Sequence, residues 1–418
     1  NAGAHRFLAR LYSQQNAPAS AETELQRALA LKPASEIYFE FGLVEAQLGK
    51  LEGAATAFRK AIQRNPRSGS AQLMLGVTLR RLGRHTEALL HFRKAVEMNP
   101  KDPEAQFNLG MELKSGKDLA GAIAAFRRAV ELQPDMEKAH YNLGIALRAQ
   151  GQTGAAETEL KELKGLHDFR TRLAQAKYLI LQGVEALRKQ DPDSALDLFQ
   201  KSVEQSPELP TGHYYLGLTW QRKGDFERAR AELEKALELK PDYAQALTSL
   251  GVLYWRQNDR ERALPELRQA VMSDPDLAEA RYNLGLALAQ SGQLDAAAHE
   301  LNEALVLDPS YTDAQIQLGL VLLQKGDTPG AVNVFRSLVR RKPDFAEAHN
   351  NLGLALLQGG DFHEARTEFG EALRLNPAYA AAHYNLGLAL RREGREAEAR
   401  SEFEKAYDIA PELRDSHP

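Results

Sequence analysis

Hydrophobic residues recur at spacings of three and four along almost the whole chain, in stretches that are separated by short polar turns. The segments AHYNLGLALRREG and AEARSEFEKAYDIA, near the C-terminus, are two consecutive examples. This spacing places the apolar side chains on one face of a helix, because an α-helix completes a turn about every 3.6 residues. The pattern therefore predicts amphipathic helices that follow one another in pairs.

Prolines give the pairs a constant period of about 34 residues. A glycine and an alanine stand at fixed distances before most of these prolines, as Gly353 and Ala365 do before Pro377. A fixed period of this length indicates stacked helix-turn-helix units rather than one enlarged core. The prolines in phase are Pro66, Pro100, Pro134, Pro207, Pro241, Pro275, Pro309, Pro343, Pro377 and Pro411.

The phased residues have distinct structural roles. Gly394 and its equivalents fall where the first helix of each pair must end, a position that often requires a positive φ. Gly387 and Ala399, with their equivalents, are small enough for the paired helices to approach closely. The proline ends the second helix and directs the chain into the next unit.

The recurring L-G-x-x-L/Y, A-x-x-x-F/L and terminal-proline positions resemble the tetratricopeptide repeat family. The resemblance covers residues 2–413 and implies an all-α fold, a right-handed superhelical solenoid of about twelve tetratricopeptide helix-turn-helix repeats. We expect the repeats to begin at Ala2, Ser35, Gly69, Pro103, Glu137, Ala176, Pro210, Ala244, Ala278, Thr312, Ala346 and Ala380.

The period breaks once, between Pro134 and Pro207, where a short insertion makes the separation slightly longer than two periods. Asp168 occupies the place of the missing proline, and the following segment predicts one long helix from Phe169 to Gln190. We therefore predict five repeats in residues 2–168, seven in 169–413 and a tail at 414–418. The break is either a tolerated insertion that bends the solenoid, or a joint or docking element.

In the tetratricopeptide family the first helices line a concave groove, through repeat positions 2, 5, 6, 9, 12 and 13. Asparagine recurs here at position 6, as in the asparagine ladder of O-linked N-acetylglucosamine transferases, where amides grip a peptide backbone. An amide both donates and accepts hydrogen bonds, and tyrosine is a frequent interface anchor. The same residues also fit solvation of the face or simple packing. The candidate peptide-binding residues are Asn108, Asn142, Asn283, Asn351, Asn385, Tyr141, Tyr214, Tyr282, Tyr384, Arg148, Arg222 and Arg256.

Charge is segregated between the two ends of the first helices. Positions 12 and 13 often carry arginine or lysine and never an acid, whereas position 2 is often acidic, as in Glu279 and Glu347. Acids at the start of a helix and bases at its end complement the helix dipole, which accounts for part of the pattern. One edge of the groove is nevertheless predicted to be positive, and this favours acidic partner segments.

Composition and spacing argue against other functions. The chain has no cysteine and a net charge of only −4, which disfavours thiolate metal sites and general nucleic-acid binding. No apolar run approaches the roughly 18 residues of a membrane span. Five histidines share one repeat position and are interpreted as packing residues rather than metal ligands. We predict no catalytic residues, no metal and no cofactor, and the lysine and asparagine clamp of chaperone-tail-binding members is missing.

We therefore predict a scaffold that binds an extended peptide or a partner helix. The alternatives are a structural subunit that self-associates through its apolar ends, and the non-catalytic arm of a larger enzyme. The chain begins without methionine, so we expect a processed chain or a fragment, and export is compatible with this start. The alanine-rich, near-uniform repeats favour a bacterial source.

Overall fold

A computed structural model describes residues 1–415 of the chain; residues 416–418, part of the predicted tail, lie outside the described residues. The chain divides into two compact units, Asn1–Thr171 and Arg172–Pro418. Within the described residues the regular structure consists of 24 helices without a strand. Consecutive helices pack against each other in pairs, so the predicted all-α helical-repeat fold is confirmed.

The first unit contains nine complete helices and the beginning of a tenth. They are α1 (Ala2–Gln14), α2 (Pro18–Leu31), α3 (Ser35–Gln47), α4 (Leu51–Arg64), α5 (Gly69–Arg81), α6 (His85–Met98), α7 (Pro103–Ser115), α8 (Leu119–Leu132), α9 (Glu137–Ala149) and α10 (Thr153–Arg188).

The second unit begins within α10 and continues with fourteen further helices. They are α11 (Pro192–Gln205), α12 (Pro210–Arg222), α13 (Phe226–Leu239), α14 (Ala244–Arg256), α15 (Arg260–Ser273), α16 (Ala278–Gln290), α17 (Leu294–Leu307), α18 (Thr312–Lys325), α19 (Thr328–Arg341), α20 (Ala346–Gly359), α21 (Phe362–Leu375), α22 (Ala380–Arg392), α23 (Glu396–Ile409) and α24 (Glu412–Asp415).

Eleven of the twelve predicted repeat starts coincide with the first residue of a helix. The agreement reflects residues that dictate the backbone locally. Gly360, for example, ends α20 with a φ of 86°, in the left-handed region that favours glycine. Asp327 begins α19 by accepting a hydrogen bond from the backbone N–H of Gly330 at 3.0 Å.

The twelfth predicted start, Ala176, lies inside α10, and here the structure differs from the prediction. We expected a helix from Phe169 to Gln190, but the helix begins at Thr153 and runs without interruption to Arg188. No proline stops the chain in this segment. Gly165 alone lowers helix propensity by only about 1 kcal/mol and does not impose a turn. The second helix of the fifth repeat and the first helix of the sixth are therefore one helix.

The second half of α10 has an unusual surface for a first helix. In α20, positions 3, 7 and 10 of the repeat are small or aliphatic and buried, as Ala348 and Leu352 show. In α10 the same positions hold Tyr178, Gln182 and Glu185, and Gln182 donates a hydrogen bond to the Tyr178 hydroxyl. The sequence thus supplies polar groups on the side of this helix that other first helices bury.

One buried acid also departs from the repeat pattern. Position 11 is a leucine in most repeats and is buried in several, as Leu79 and Leu356 are, but it is Glu45 in the second repeat. The side chain is 9% exposed, and its Oε2 atom has no hydrogen-bond partner. The charge of Lys50 attracts the Glu45 carboxyl group, but the Lys50 ammonium donates its hydrogen bonds to both carboxylate oxygens of Glu22. Burial raises the pKa of Glu45, the charge of Glu22 raises it further, and Lys50 opposes them.

Replacing Glu45 by leucine should therefore stabilise the first unit by about 1–3 kcal/mol at pH 7, the cost of leaving a buried polar group unsatisfied. A carboxyl whose pKa is raised on folding binds its proton more tightly in the folded state, so the wild type gains stability as the pH falls. The advantage of the variant should shrink accordingly. Denaturant unfolding at pH 7 and pH 4.5 measures both effects, with the exposed Glu97→Leu as the control. A Glu45→Leu variant less stable than the wild type at pH 7 contradicts this account.

No helix among residues 1–415 combines the length and the apolar character that crossing a bilayer requires. The longest helix, α10, has 36 residues but carries charged residues throughout.

Candidate functional site

The candidate site is the side of the first helices formed by repeat positions 2, 5, 6, 9, 12 and 13, here called the first-helix face. In the second unit, consecutive first helices from α12 to α22 contact one another, so this face is continuous there. Each first helix contributes similar chemistry because the same positions recur in every repeat.

An aliphatic row runs through the middle of the first-helix face at position 9. Its residues are partly exposed between positions 8 and 10, which are mostly buried. The sequence analysis assigned position 9 to the groove but singled out none of its residues. The sequence does contain the pattern, because leucine, valine, isoleucine or methionine occupies position 9 in every repeat from the second onward. The row is Leu43, Val77, Met111 and Ile145 in the first unit, and Val184, Leu218, Val252, Leu286, Leu320, Leu354 and Leu388 in the second.

The asparagines of the first unit already make hydrogen bonds within the protein. Asn108 donates from its Nδ2 to the carbonyl of Glu104 at 2.8 Å, and its Oδ1 accepts from Arg80 at 2.8 Å. Asn142 donates to the carbonyl of Lys138 at 2.8 Å and accepts from Lys114 at 2.5 Å. Only one N–H and one acceptor position of each amide remain for a peptide backbone.

The asparagines of the second unit are less uniform. Asn283 donates to the carbonyl of Glu279 at 2.8 Å, which leaves its Oδ1 toward the face. Asn351 and Asn385 are brought together by Asn350, which donates weakly to Asn351 at 3.4 Å and accepts from Asn385 at 3.0 Å. The sequence analysis did not single out Asn350, although it occupies position 5, the position of the candidate tyrosines.

The candidate tyrosines differ in exposure. Tyr141 is half exposed, and no other aromatic ring of residues 1–415 packs on it. Tyr214 packs against Tyr215 and Tyr243, with ring centroids 5.1 and 5.2 Å apart. Tyr282 packs against Tyr311 at 4.8 Å, and Tyr384 against Phe403 at 5.3 Å. Position 5 therefore combines packing with partial exposure in the second unit.

Acidic residues border the tyrosine pair of the ninth repeat. Burial raises the pKa of Tyr282, and the charge of Asp313 raises it further. Burial likewise raises the pKa of Tyr311, with additional contributions from Tyr282, Glu279 and Asp313. Glu279 and Asp313 are exposed and form no ion pair with a described residue. The potential at this edge of the face is therefore negative.

The candidate arginines lie at the C-terminal ends of their first helices. Arg148, at the end of α9, and Arg222 and Arg256, at the ends of α12 and α14, are exposed. None of the three forms an ion pair or a side-chain hydrogen bond with residues 1–415. Arginines of this kind are available to a partner without breaking an existing contact. The second unit thus has positive charge at one edge of its face and negative charge at the other.

Comparisons with known families agree with the geometry. The family model described as "Tetratricopeptide repeat" matches residues 39–103, 248–312, 316–369 and 356–413, more than half of the chain. The chain belongs to the tetratricopeptide repeat family. A second model, described as "TPR repeat", matches residues 110–151 and 222–258. No curated protein matches.

Several solved structures of other proteins are similar to this tetratricopeptide repeat chain. MamA from Desulfovibrio magneticus RS-1 is 24% identical over 42% of this chain and 97% of its own, with a TM-score of 0.38. The Cut9–Hcn1 hetero-tetramer of the APC/C is 14% identical over 98% and 94%, with a TM-score of 0.43. Yeast Tom70 is 15% identical over 99% of both chains, with a TM-score of 0.39.

Proposed function

We propose that the chain is a scaffold that holds an extended segment of a partner protein along the first-helix face of its second unit. Tetratricopeptide repeats are typically non-catalytic interaction modules, and the family indicates protein partners. The observation that carries the finer proposal is the continuous aliphatic row from Leu218 to Leu388, bordered by unpaired charges. A row of partly exposed aliphatic residues on contiguous helices provides apolar area for a partner, and the flanking charges fix its direction.

The second unit is favoured over the first because of its unpaired groups. In the first unit, Arg80 and Lys114 are held by Asn108 and Asn142, and Arg148 is the one candidate arginine there without a partner among the described residues. In the second unit, Arg222 and Arg256 have no such partner. We infer that a bound segment places acidic groups near these arginines and runs across the row toward the acidic edge at Glu279. The scaffold performs no chemical step of its own in this proposal.

The proposal is tested with peptides selected from a random phage-displayed library on the immobilised chain. Replacing Leu286, Leu320 and Leu354 by glutamine should weaken peptide binding at least tenfold, because about 25 cal/mol is lost for each Å² of apolar contact area removed. The matched control replaces Met272 and Val306, which are exposed on second helices. Fluorescence anisotropy measures the dissociation constants. Equal binding by both variants and the wild type would falsify the assignment of this face.

The charge preference is tested separately. Arg222→Gln and Arg256→Gln together should weaken the selected acidic peptides several-fold at low salt, and the difference should fade as salt rises, because exposed charges are screened within about 10 Å at 0.1 M. Neutral peptides should bind the variant and the wild type alike. A loss that is independent of salt points to packing rather than charge.

Self-association is a second candidate function, favoured by exposed apolar residues on α1. Phe7 is 63% exposed, and Leu8 and Leu11 are also exposed on this helix. Sedimentation over a range of concentrations tests it with Phe7→Ser and Leu11→Ser as variants. A wild-type chain that stays monomeric throughout excludes this candidate.

A further inference from the structure

Four buried histidines make the same pair of contacts in four different repeats. Each lies at position 4 of a first helix and is 6–9% exposed. Its Nε2 lies 2.9–3.1 Å from the carbonyl oxygen of the proline six residues earlier, and its Nδ1 lies 2.6–2.7 Å from a glutamate nineteen residues later. Each ring thus connects the turn before its repeat with both helices of that repeat. The pairs are His140–Glu159, His213–Glu232, His349–Glu368 and His383–Glu402.

The two contacts together require two hydrogens, distributed between the ring and the glutamate. A backbone carbonyl can only accept a hydrogen bond, and an ionised carboxylate also can only accept. A neutral imidazole carries one N–H and satisfies one of the two, whereas the doubly protonated ring donates to both. If the glutamate carries the proton instead, the histidine–glutamate pair still holds the same number of protons. In either distribution, the complete bridge contains one proton more than a neutral histidine beside a carboxylate.

The ninth repeat shows the same bridge with a permanent cation. Arg281 replaces the histidine at position 4, donates from its Nε to the carbonyl of Pro275 at 2.8 Å, and donates from its Nη1 to Glu300 at 2.9 Å. A guanidinium stays charged at every pH at which the protein folds. Because an obligate cation fits between the same two acceptors, the position accommodates a positive group.

We propose that His140, His213, His349 and His383 are proton-binding sites, each of which ties a repeat to the turn before it. Loss of the proton leaves one acceptor without a donor in the bridge and weakens the attachment of that repeat. In a solenoid, stability is close to a sum over repeats and nearest-neighbour contacts, so four weakened attachments act on the whole array. Cohesion between repeats therefore depends on pH.

The electrostatic surroundings of His213 show the direction of the effect. Burial of His213 lowers its pKa, and the charge of Lys235 lowers it as well. The hydrogen bonds to Glu232 and to the Pro207 carbonyl, together with the charge of Glu232, outweigh both effects, so the pKa is raised. Glu238 on the same helix also interacts with this ring. In other bridges, Glu371 interacts electrostatically with His349, and Lys405 donates a hydrogen bond to Glu402, the partner of His383.

A histidine whose pKa is raised on folding stabilises the folded state fully below its unfolded pKa of about 6.5, and this stabilisation is lost as the pH rises through the folded pKa. The array should therefore hold together most firmly below about pH 6.5 and loosen as the solution becomes mildly alkaline.

Thermal unfolding of the full chain between pH 6 and pH 8.5 tests the proposal. The wild-type midpoint should fall over this range. A variant in which all four histidines are replaced by arginine, as in the Arg281 bridge, should lose most of this pH dependence. A variant with four glutamines should lose it too, because Gln106 at the same repeat position already donates to the carbonyl of Pro100 at 3.3 Å. The control is His299→Gln, an exposed histidine outside the bridges, which should follow the wild type.

Proton release gives a second readout. Unfolding the wild type near pH 7.5 should release protons from the four bridges, measured by calorimetry in two buffers that differ in ionisation enthalpy. The His→Arg variant should lack this release. Parallel pH profiles for the wild type and both variants would overturn the proposal, as would unfolding without proton release.

Should the fourfold variants fail to fold, nitrogen NMR of the wild-type imidazoles decides alone. The four bridge histidines should retain protons on both ring nitrogens to a higher pH than the exposed His299 does. Four rings that titrate together with His299 refute the proposal.

Discussion

Replacing Phe369 by alanine should lower the free energy of unfolding by about 3–5 kcal/mol, the usual cost of removing a fully buried aromatic ring. The ring is fully buried, lies over Gly353 of the preceding helix, and belongs to a cluster that includes Phe335, Leu352 and Ala389. Its loss removes contacts within one repeat and to both neighbouring repeats. Because repeat arrays need not unfold in a single step, hydrogen exchange of α20 and α21 should be measured beside global unfolding.

Phe403 provides the matched control. It occupies the same position in the last helix pair and lies over Gly387 as Phe369 lies over Gly353. Its ring is only partly buried, however, and it packs against Tyr384 and Tyr407. Phe403→Ala should therefore cost clearly less than Phe369→Ala. Equal losses would show that the ring–glycine contact, rather than burial between repeats, supplies most of the stability.

The repeat starts were predictable because each repeat contacts mainly its neighbours. Residues such as Asp327 and Gly360 determine where a helix begins or ends through hydrogen bonds and backbone conformation a few residues away. The tetratricopeptide pattern and the all-α fold were consequently available from the sequence. This locality also explains the one departure, since the segment around Gly165 lacks any residue that forces the helix to stop.

The chemistry of the first-helix face was only partly predictable. The positions of Asn108 and Asn142 followed from the repeat, but their hydrogen-bond partners include Arg80 and Lys114 from the preceding repeat. The sequence alone does not tell whether a long basic side chain bends back to an amide or extends into solvent. The groove assignment therefore stays a proposal, and the structure redirects it toward the second unit.

The histidine bridges had a signal in the sequence that was not used. Five histidines were placed at one repeat position and interpreted as packing residues. A glutamate follows each by nineteen residues, as with His213 and Glu232. Four of them also follow a proline by six residues. Reading the three residues together would have identified a hydrogen-bonded group between two helices and a turn.

Replacing Gly353 by alanine should destabilise the second unit by about 1–3 kcal/mol, the usual cost of overpacking a well-packed core. A Cβ atom at this position would lie 2.6 Å from Cε1 of Phe369, in a ring that is itself fully buried and has no free volume to enter. Alanine favours a helix over glycine by about 1 kcal/mol, so the steric cost must exceed this gain for the variant to be less stable. Urea unfolding measures the net effect.

The variant Gly144→Ala separates the steric cost of the added Cβ atom from the gain in helix propensity. Gly144 lies at the same repeat position, but its Cβ would lie 3.2 Å from Leu160, on the first half of α10, where the facing helix carries a flexible aliphatic side chain instead of a ring. This variant should be neutral or slightly stabilised, because the gain in helix propensity meets little resistance. A loss equal to that of Gly353→Ala would mean that the close approach of the paired helices is equally tight in both units.

The Gly353 variant also bears on the binding face. Asn351 and Leu354 flank this glycine in α20, so a displacement of α20 away from α21 moves two candidate contacts at once. If the selected peptides need the aliphatic row in its present register, Gly353→Ala should weaken their binding even at temperatures where the chain is fully folded. Gly144→Ala should leave peptide binding unchanged, since it alters the first unit alone. Stability and recognition are therefore linked through the spacing of one helix pair.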